Sequence, residues 1–332
     1  MMPFINENGS RPEFPGIEIL NSVEAWLAKF GDARKRTVVT IGNFDGVHLG
    51  HQEILRGAID RAHATESMSA VLTFFPHPSR VLRPEHAPAL LMTLPQRLQA
   101  FQSFGVEAAL VLPFDQELAK VSAVDFVRTF LAETLRARTV MVGGNFRFGH
   151  KQAGDVSLLV NLGQRWGFEV VVVPPVIQDG VVVSSTAVRN AVREGRMDEA
   201  ARLLGRPFEL AGEIKTGTGQ GRKLVVPTLN LSTEQECLPK NGVYATESIV
   251  GGKNYRSATN VGVRPTFDGQ RLAIESHLFD FSESLKSGLM AVRFCKRLRD
   301  EQKFSGADAL REQVLRDIES AQAYFASLAE PR

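Results

Sequence analysis

Apolar positions in the first half of the chain alternate between two periods. Runs rich in β-branched and apolar residues at 37–41, 70–75, 108–112, 139–142 and 169–173 read as strands. Between them apolar residues recur at helical spacing. Ile54, Leu55, Ala58 and Ile59 form one face of a helix starting at about His48. Further helices are predicted over 94–104, from Ser122 to about Leu135, and over 155–166, with Ser122 and Asp125 resembling a capping box. Ser22 caps a short helix over 23–30 that is expected to pack Trp26, Leu27 and Phe30 inward, and residues 1–16 read as a loose tail. Strands alternating with helices imply an α/β fold, a parallel sheet with helices on both faces. Ligands of such sheets bind at the carboxyl ends of the strands, where the loops 42–51, 75–80 and 143–154 fall.

The pattern changes near residue 206. An amphipathic helix over 197–204 is stopped by Gly205-Arg206-Pro207. Short β-rich runs follow at 208–215, 229–232, 242–249, 254–261, 273–279 and 289–298, with Gly and Pro turns between them, and suggest a small antiparallel barrel. A last helix over 307–328 carries Leu310, Val314, Leu315, Ile318, Ala321 and Phe325 at helical period. Two domains are expected, 17–206 and 207–328.

Composition narrows the function classes. The 332 residues are 43% hydrophobic and 23% charged, with a net charge of +2, as in a globular protein with no overall basic excess for nucleic acid. No stretch is long and apolar enough for a membrane span or a signal peptide. Cys237 and Cys295 have no metal spacing, which fits idle thiols in a reducing compartment. A cytoplasmic protein, monomeric or weakly oligomeric, is expected.

The candidate chemistry starts in the loop after the first long strand. Gly42 breaks the strand, Asn43-Phe44-Asp45-Gly46 turns, and His48 and His51 sit three apart as a helix begins, so their imidazoles share its first turn. A helix start offers free N–H groups and a positive dipole end to phosphate, and Gly50 leaves room for close approach. Two surface histidines, or half a metal site, is the plainer account of H-x-x-H alone. Thr73-Phe-Phe-Pro-His-Pro78 reads as a rigid strand exit. Gly143-Gly-Asn-Phe-Arg-Phe-Gly149 is either a loop whose aromatics flank groups suited to a planar ring and a phosphate, or a glycine-punctuated loop with buried phenylalanines. In Ser184-Ser-Thr-Ala-Val-Arg189 the hydroxyls cap a helix or hold phosphate, with Arg189 one turn on. Between 217 and 230, Gly217, Gly219 and Gly221 can curl successive N–H groups around an anion, and Arg222 and Lys223 add charge; a glycine-rich hairpin explains them as well. Thr228 and Asn230 alternate on an extended segment, and their oxygens suit Mg²⁺ shared with phosphates.

G-x-F-D-G-V-H-x-G-H resembles the signature of the HxGH nucleotidyltransferases, a Rossmann-like class that transfers a nucleoside monophosphate from a triphosphate. Together with F-F-P-H-P, G-G-N-F-R-F-G, S-S-T-A-V-R, L-L-G-R-P-F and the segments of the second half, it resembles the bacterial bifunctional riboflavin kinase/FMN adenylyltransferase family over about residues 37–325. The resemblance implies an FMN adenylyltransferase domain followed by a β-barrel riboflavin kinase domain with a C-terminal helix. ATP, riboflavin and FMN would be substrates, with Mg²⁺. His48 and His51 would be catalytic and contact the ATP phosphates, with Gly42, Asn43, Phe44 and Gly50 in the same loop. Asn145, Ser185, Thr186 and Arg189 would hold nucleotide or phosphate. Phe75, His77, Pro78 and Arg299 would lie at flavin. In the second domain Gly217, Gly219, Gly221, Arg222 and Lys223 would hold phosphate, Thr228 and Asn230 the metal, and Glu275 would be the base. Val225-Val226 and Leu229 depart from the family's usual Gly-Phe-Pro-Thr-Ala-Asn at this loop. That departure leaves an alternative, an FMN adenylyltransferase whose barrel only senses flavin. H-x-G-H alone would also admit a phosphopantetheine or glycerol phosphate acceptor.

Overall fold

A computed structural model describes residues 16–32, 35–215, 226–266, 269–282 and 285–329. The chain divides into two units between Val183 and Ser184.

The first unit runs β1 (Glu18–Leu20), α1 (Val23–Phe30), β2 (Thr37–Ile41), α2 (Leu49–Ala64), β3 (Met68–Phe75), α3 (Pro78–Leu82), α4 (Leu94–Phe104), β4 (Ala108–Pro113), α5 (Ala123–Phe126), β5 (Ala137–Gly143), α6 (Val156–Trp166), β6 (Glu169–Val173) and a hairpin of β7 (Ile177–Gln178) and β8 (Val181–Val182). Six strands pair in parallel in the order β1-β4-β3-β2-β5-β6. The expected α/β architecture is present. One core lies over Val39, Leu72, Leu110 and Val140; another packs Val71, Ala109 and Val111 against α2 and α4. The three-residue β1 escapes periodicity because it is too short to show any. Past α5 the helix widens to π-type bonding over Val127–Thr134, where regular α-helix is the sequence expectation. The wider turn keeps Val127, Phe130, Leu131 and Thr134 buried together, and Thr134 Oγ1 donates to Thr129 O at 2.7 Å. On α1, Trp26 is buried but Leu27 is exposed, contrary to expectation.

The second unit begins with α7 (Ser185–Arg193) and α8 (Met197–Leu204). The strands β9 (Phe208–Lys215), β10 (Leu229–Thr233), β11 (Gly242–Val250), β12 (Lys253–Thr266), β13 (Gly269–Leu278) and β14 (Leu289–Arg299) follow, then α9 (Ala307–Ala329). The strands close an antiparallel barrel in the order β10-β13-β12-β11-β14-β9, with β9 pairing back to β10. Closure brings β9 against β10 so tightly that a Cβ on Gly212 would lie 1.9 Å from Ser232 O, so only glycine fits that bend. α7 and α8 travel with the barrel, ahead of residue 206 where the composition changes. Val192 O accepts from Lys240 N–H at 3.3 Å, and α8 packs on β9 and β14.

The barrel interior holds an unexpected polar feature. Ser248, Ser257, Thr246, Thr259 and Ser276 are fully buried and join hydroxyl to hydroxyl at 2.9, 2.8, 2.6 and 2.7 Å across β11, β12 and β13. Small hydroxyl side chains fit a narrow barrel and satisfy one another. α9 covers Ala245 and Ala258 with Ala321 and Phe325. Its buried face takes in Asp317, whereas Leu315, one of the apolar positions at helical period, is exposed.

Candidate active sites

β2 is where the strand order of the parallel sheet reverses. β3 and β4 extend to one side and β5 and β6 to the other, so the crevice at the carboxyl ends opens between β2 and β5. Gly42 leaves β2, and residues 43–48 turn with φ of +50° at Phe44, +88° at Gly46 and +40° at Val47. Left-handed angles at phenylalanine and valine each cost on the order of 1–3 kcal/mol and persist only where the surroundings hold them. Here they are held from several sides. Buried Asp45 accepts from Leu91 N–H at 2.9 and 3.2 Å and from Met92 N–H at 3.1 Å. Gln52 Nε2 donates to Val47 O at 2.9 Å. The Phe44 ring, 1% exposed, meets Phe101 edge-on at 5.3 Å. The Phe44 side chain is therefore core.

α2 starts on His48. The His48 Nδ1 accepts the His51 N–H at 3.3 Å and so caps the helix. An accepting Nδ1 carries no proton, which leaves the proton of neutral His48 on Nε2. The two rings stack with centroids 3.6 Å apart and 17° between planes, and Phe44 lies 5.1 Å from His51. Burial, and secondarily the neighbouring His48, holds the His51 pKa well below its ordinary value. Asn43 Oδ1 and His51 Nδ1 are buried without a hydrogen-bond partner, uncommon for buried polar atoms. A Cβ on Gly50 would lie 3.3 Å from His48 Cε1 and 3.4 Å from Nδ1, so the glycine makes room for the His48 ring.

The other loops stand at the same sheet edge. The Phe75–Pro76 bond is cis. Phe75 packs partly against the core on the α4 side. His77 repeats the device of His48: its Nδ1 accepts from Ser79 N–H at 3.2 Å and caps α3, which begins at half-buried Pro78. After β5, Asn145 is exposed. Phe146 and Phe148 stack on each other at 5.4 Å and 16° and pack on the core, and Arg147 reaches Asp155 at 3.6 Å. The phenylalanines of this loop thus pack inward, and Asn145 and Arg147 stay outside. In the second unit Ser184, rather than Ser185 or Thr186, caps α7 by accepting from Ala187 N–H at 3.2 Å. Thr186 is exposed and Arg189 is buried.

On the barrel, Asn230 of β10 stands opposite Glu275 of β13, which stands opposite Asn260 of β12. Residues directly opposed in antiparallel strands share a face. Their neighbours Leu229, Ser276 and Thr259 are buried inside, so the Asn230–Glu275–Asn260 row lies on the outer face. His277 Nδ1 lies 2.9 Å from Pro227 O, which ties down the segment before exposed Thr228. Gly217, Gly219, Gly221, Arg222 and Lys223, with Val225, lie outside the described residues. Arg299, expected at flavin, has its guanidinium engaged by α9: Nε and Nη2 reach the two oxygens of Asp317 at 2.7 and 2.6 Å. Among the described residues no group of three or more His, Cys, Asp or Glu side chains is placed to hold a metal.

Sequence reasoning gave Asp45 and Asn260 no role of their own and passed over Arg97. Arg97 had a signal: Leu94, Arg97, Leu98 and Phe101 form one helical stripe, and the arginine is its one polar member. It is 3% exposed and donates through Nη1 to Asn43 O at 2.6 Å and to Thr73 Oγ1 at 3.4 Å.

A parallel sheet with an HxGH loop at its switch point, followed in the chain by a closed barrel with a polar row, defines a two-part transferase. The family profile for FAD synthetase matches residues 31–187 and that for riboflavin kinase matches 204–325. The bifunctional riboflavin kinase/FMN adenylyltransferase of Pseudomonas fluorescens is 40% identical over 293 residues, 88% of this chain and 94% of that protein. Its counterpart in Escherichia coli K12 is 36% identical over 289 residues, 87% and 92% of the two chains. A solved structure described as a macrolide-efflux protein of Streptococcus pneumoniae matches with a TM-score of 0.82 at 29% identity, covering 92% of this chain and 99% of that one. No helix among the described residues is long and apolar enough to cross a membrane. The chain belongs to the bifunctional riboflavin kinase/FMN adenylyltransferase family.

Proposed function

We propose that this chain makes FAD from riboflavin in two transfers, each on its own set of residues. The barrel phosphorylates riboflavin to FMN with ATP, and the parallel-sheet unit joins FMN to AMP from a second ATP, releasing pyrophosphate. Both family matches favour two activities over an adenylyltransferase with a merely sensing barrel.

In adenylyl transfer a phosphate oxygen of FMN attacks the α-phosphorus of ATP in line. The work left to the protein is positioning and charge stabilisation. The observation that carries this assignment is the pair of unsatisfied buried atoms, Asn43 Oδ1 and His51 Nδ1, beside stacked imidazoles at a helix start. We assign the charge on the α- and β-phosphates to His48 and His51. Phosphate contacts by Asn145, Ser185, Thr186 and Arg189, and flavin contacts by His77 and Pro78, belong to the same proposal and rest on the motifs alone.

In the kinase half-reaction the riboflavin 5′-hydroxyl attacks the γ-phosphorus and Glu275 takes its proton. Asn230, beside Glu275 in the sheet, and Thr228 offer hard oxygen donors that fit Mg²⁺ sharing its shell with phosphates and water. Bound there, the ion would neutralise phosphate charge. We place the enzyme in the cytoplasm, where ATP is available and Cys237 and Cys295, which are not joined in a disulfide, stay reduced.

The test separates the halves. Glu275→Gln is expected to lose riboflavin phosphorylation and still convert FMN to FAD. His51→Ala is expected to stop at FMN. An unchanged rate of FAD formation in His51→Ala would remove the assignment of the first site.

A further inference from the structure

We infer that Arg97 is a positioning residue for FMN adenylylation, holding the Asn43–His51 loop in its reactive shape by gripping the Asn43 carbonyl. The inference rests on the reading of that loop as the adenylyl-transfer site.

Arg97 stands in an apolar helical stripe, where a leucine or methionine would bury more simply. A charged group taken out of water gains little stability even when paired, and a hydrophobic replacement is often as stable. What Arg97 does with its charge is therefore informative. Its Nη1 spans from α4 to the main-chain oxygen of Asn43 at 2.6 Å and to Thr73 Oγ1, the latter on β3, at 3.4 Å. It thus ties the exit of β2 to its neighbouring strand. Its Nε is buried and has no hydrogen-bond partner, so the group is not optimised for the folded state alone.

The residue it grips lies next to Phe44, whose backbone sits in the left-handed region, and the loop repeats that conformation at Val47. Such a loop relaxes unless it is over-determined, and strain of this kind gathers at functional sites. Asp45 anchors one side of the turn through Leu91 and Met92. Arg97 anchors the other. With the Asn43 carbonyl fixed, the direction of its unsatisfied Oδ1 and the approach of the loop to His51 are fixed as well. Arg97 touches no reacting atom in this account; it acts through Asn43.

The experiment compares Arg97→Met and Arg97→Lys in the full chain, with riboflavin phosphorylation by the same samples as the control for integrity. Arg97→Met is expected to lower kcat for FMN adenylylation about 10- to 100-fold, since small misplacements at a reacting centre have effects of that size. KM for ATP is expected to stay within about threefold, the split that marks lost alignment rather than lost binding. Arg97→Lys restores a cation and a donor, and is expected to recover kcat near neutral pH. It is also expected to add a loss of rate at alkaline pH absent from the parent, because a buried lysine sheds its proton more readily than arginine. That profile reads the role even if Arg97→Met does not fold. A kcat in Arg97→Met within about threefold of the parent overturns the inference, as does an Arg97→Lys profile with no added alkaline limb. If His51→Ala abolishes FAD formation while Arg97→Met does not slow it, the inference alone fails. If His51→Ala leaves FAD formation intact, the site reading fails with it.

Discussion

The imidazole of His51 lies flat on that of His48, centroids 3.6 Å apart, and its own backbone N–H is the proton that His48 Nδ1 accepts. The second histidine of the pair is thus held by the first through both ring and backbone. Burial keeps His51 neutral at pH 7, with its pKa well below the ordinary 6.5. The folded state therefore resists taking a proton that the unfolded chain accepts. The resulting contribution to stability is present above about pH 6.5 and is lost as pH falls below it. In the ligand-free protein the His51 ring resonances are expected not to titrate between pH 6 and 8, and kcat/KM for adenylylation is expected to show no acid limb from His51 near 6.5. An NMR titration with a His51 inflection at its ordinary value contradicts this.

Gly50→Ala puts a methyl 3.3 Å from His48 Cε1, tighter than ordinary contact. The ring must shift by a few tenths of an ångström and the stack with it. FMN adenylylation is expected to fall about tenfold while riboflavin phosphorylation stays as in the parent. Parallel initial rates from the two substrates check it, and an unaffected adenylylation rate would show that the stack tolerates displacement.

Thr259 is a middle link of the buried hydroxyl chain, 2.6 Å from Thr246 and 2.7 Å from Ser276. Thr259→Val keeps the shape, takes from Ser276 its hydroxyl partner and leaves Thr246 with Ser257 alone, at a cost of about 1–3 kcal/mol. Hydrogen exchange of the β11–β13 amides reads this locally, which matters because a chain of two units need not unfold in one step. Unchanged protection there would mean the chain adds no stability.

Asp317→Ala removes the carboxylate that Arg299 grips with two bonds and leaves a largely buried guanidinium with the Asp300 carbonyl but no counter-charge there. The docking of α9 is expected to weaken by about 2 kcal/mol or more. Faster exchange of α9 amides over 307–329, with the first unit unchanged, is the expected result; unaltered α9 protection contradicts it.

Most of the architecture was legible because strands and helices here keep their periods. β6, α4, α8 and β9 begin and end where the pattern says. What escaped was tertiary in origin. The π-helical widening after Phe126 leaves the apolar positions still helical in spacing. Leu27 and Leu315 fit an amphipathic stripe yet are exposed, which periodicity alone does not show. At the site, the histidines and the glycine between them were readable, but the reason for Gly50 was not, since it depends on the rotamer of His48. Arg97, 54 residues from Asn43, could be seen only as a misfit in an apolar stripe. Asn260 needed the register of β12 against β13.

The central claim is that both transfers occur on this one chain. A chromatographic time course of the purified protein with riboflavin, ATP and Mg²⁺, run beside one started from FMN, tests it directly. FMN that rises and then gives way to FAD in the first run, with FAD appearing at once in the second, is the predicted result. FAD from FMN alone, with riboflavin untouched, would contradict it and leave the barrel a flavin-binding module without chemistry.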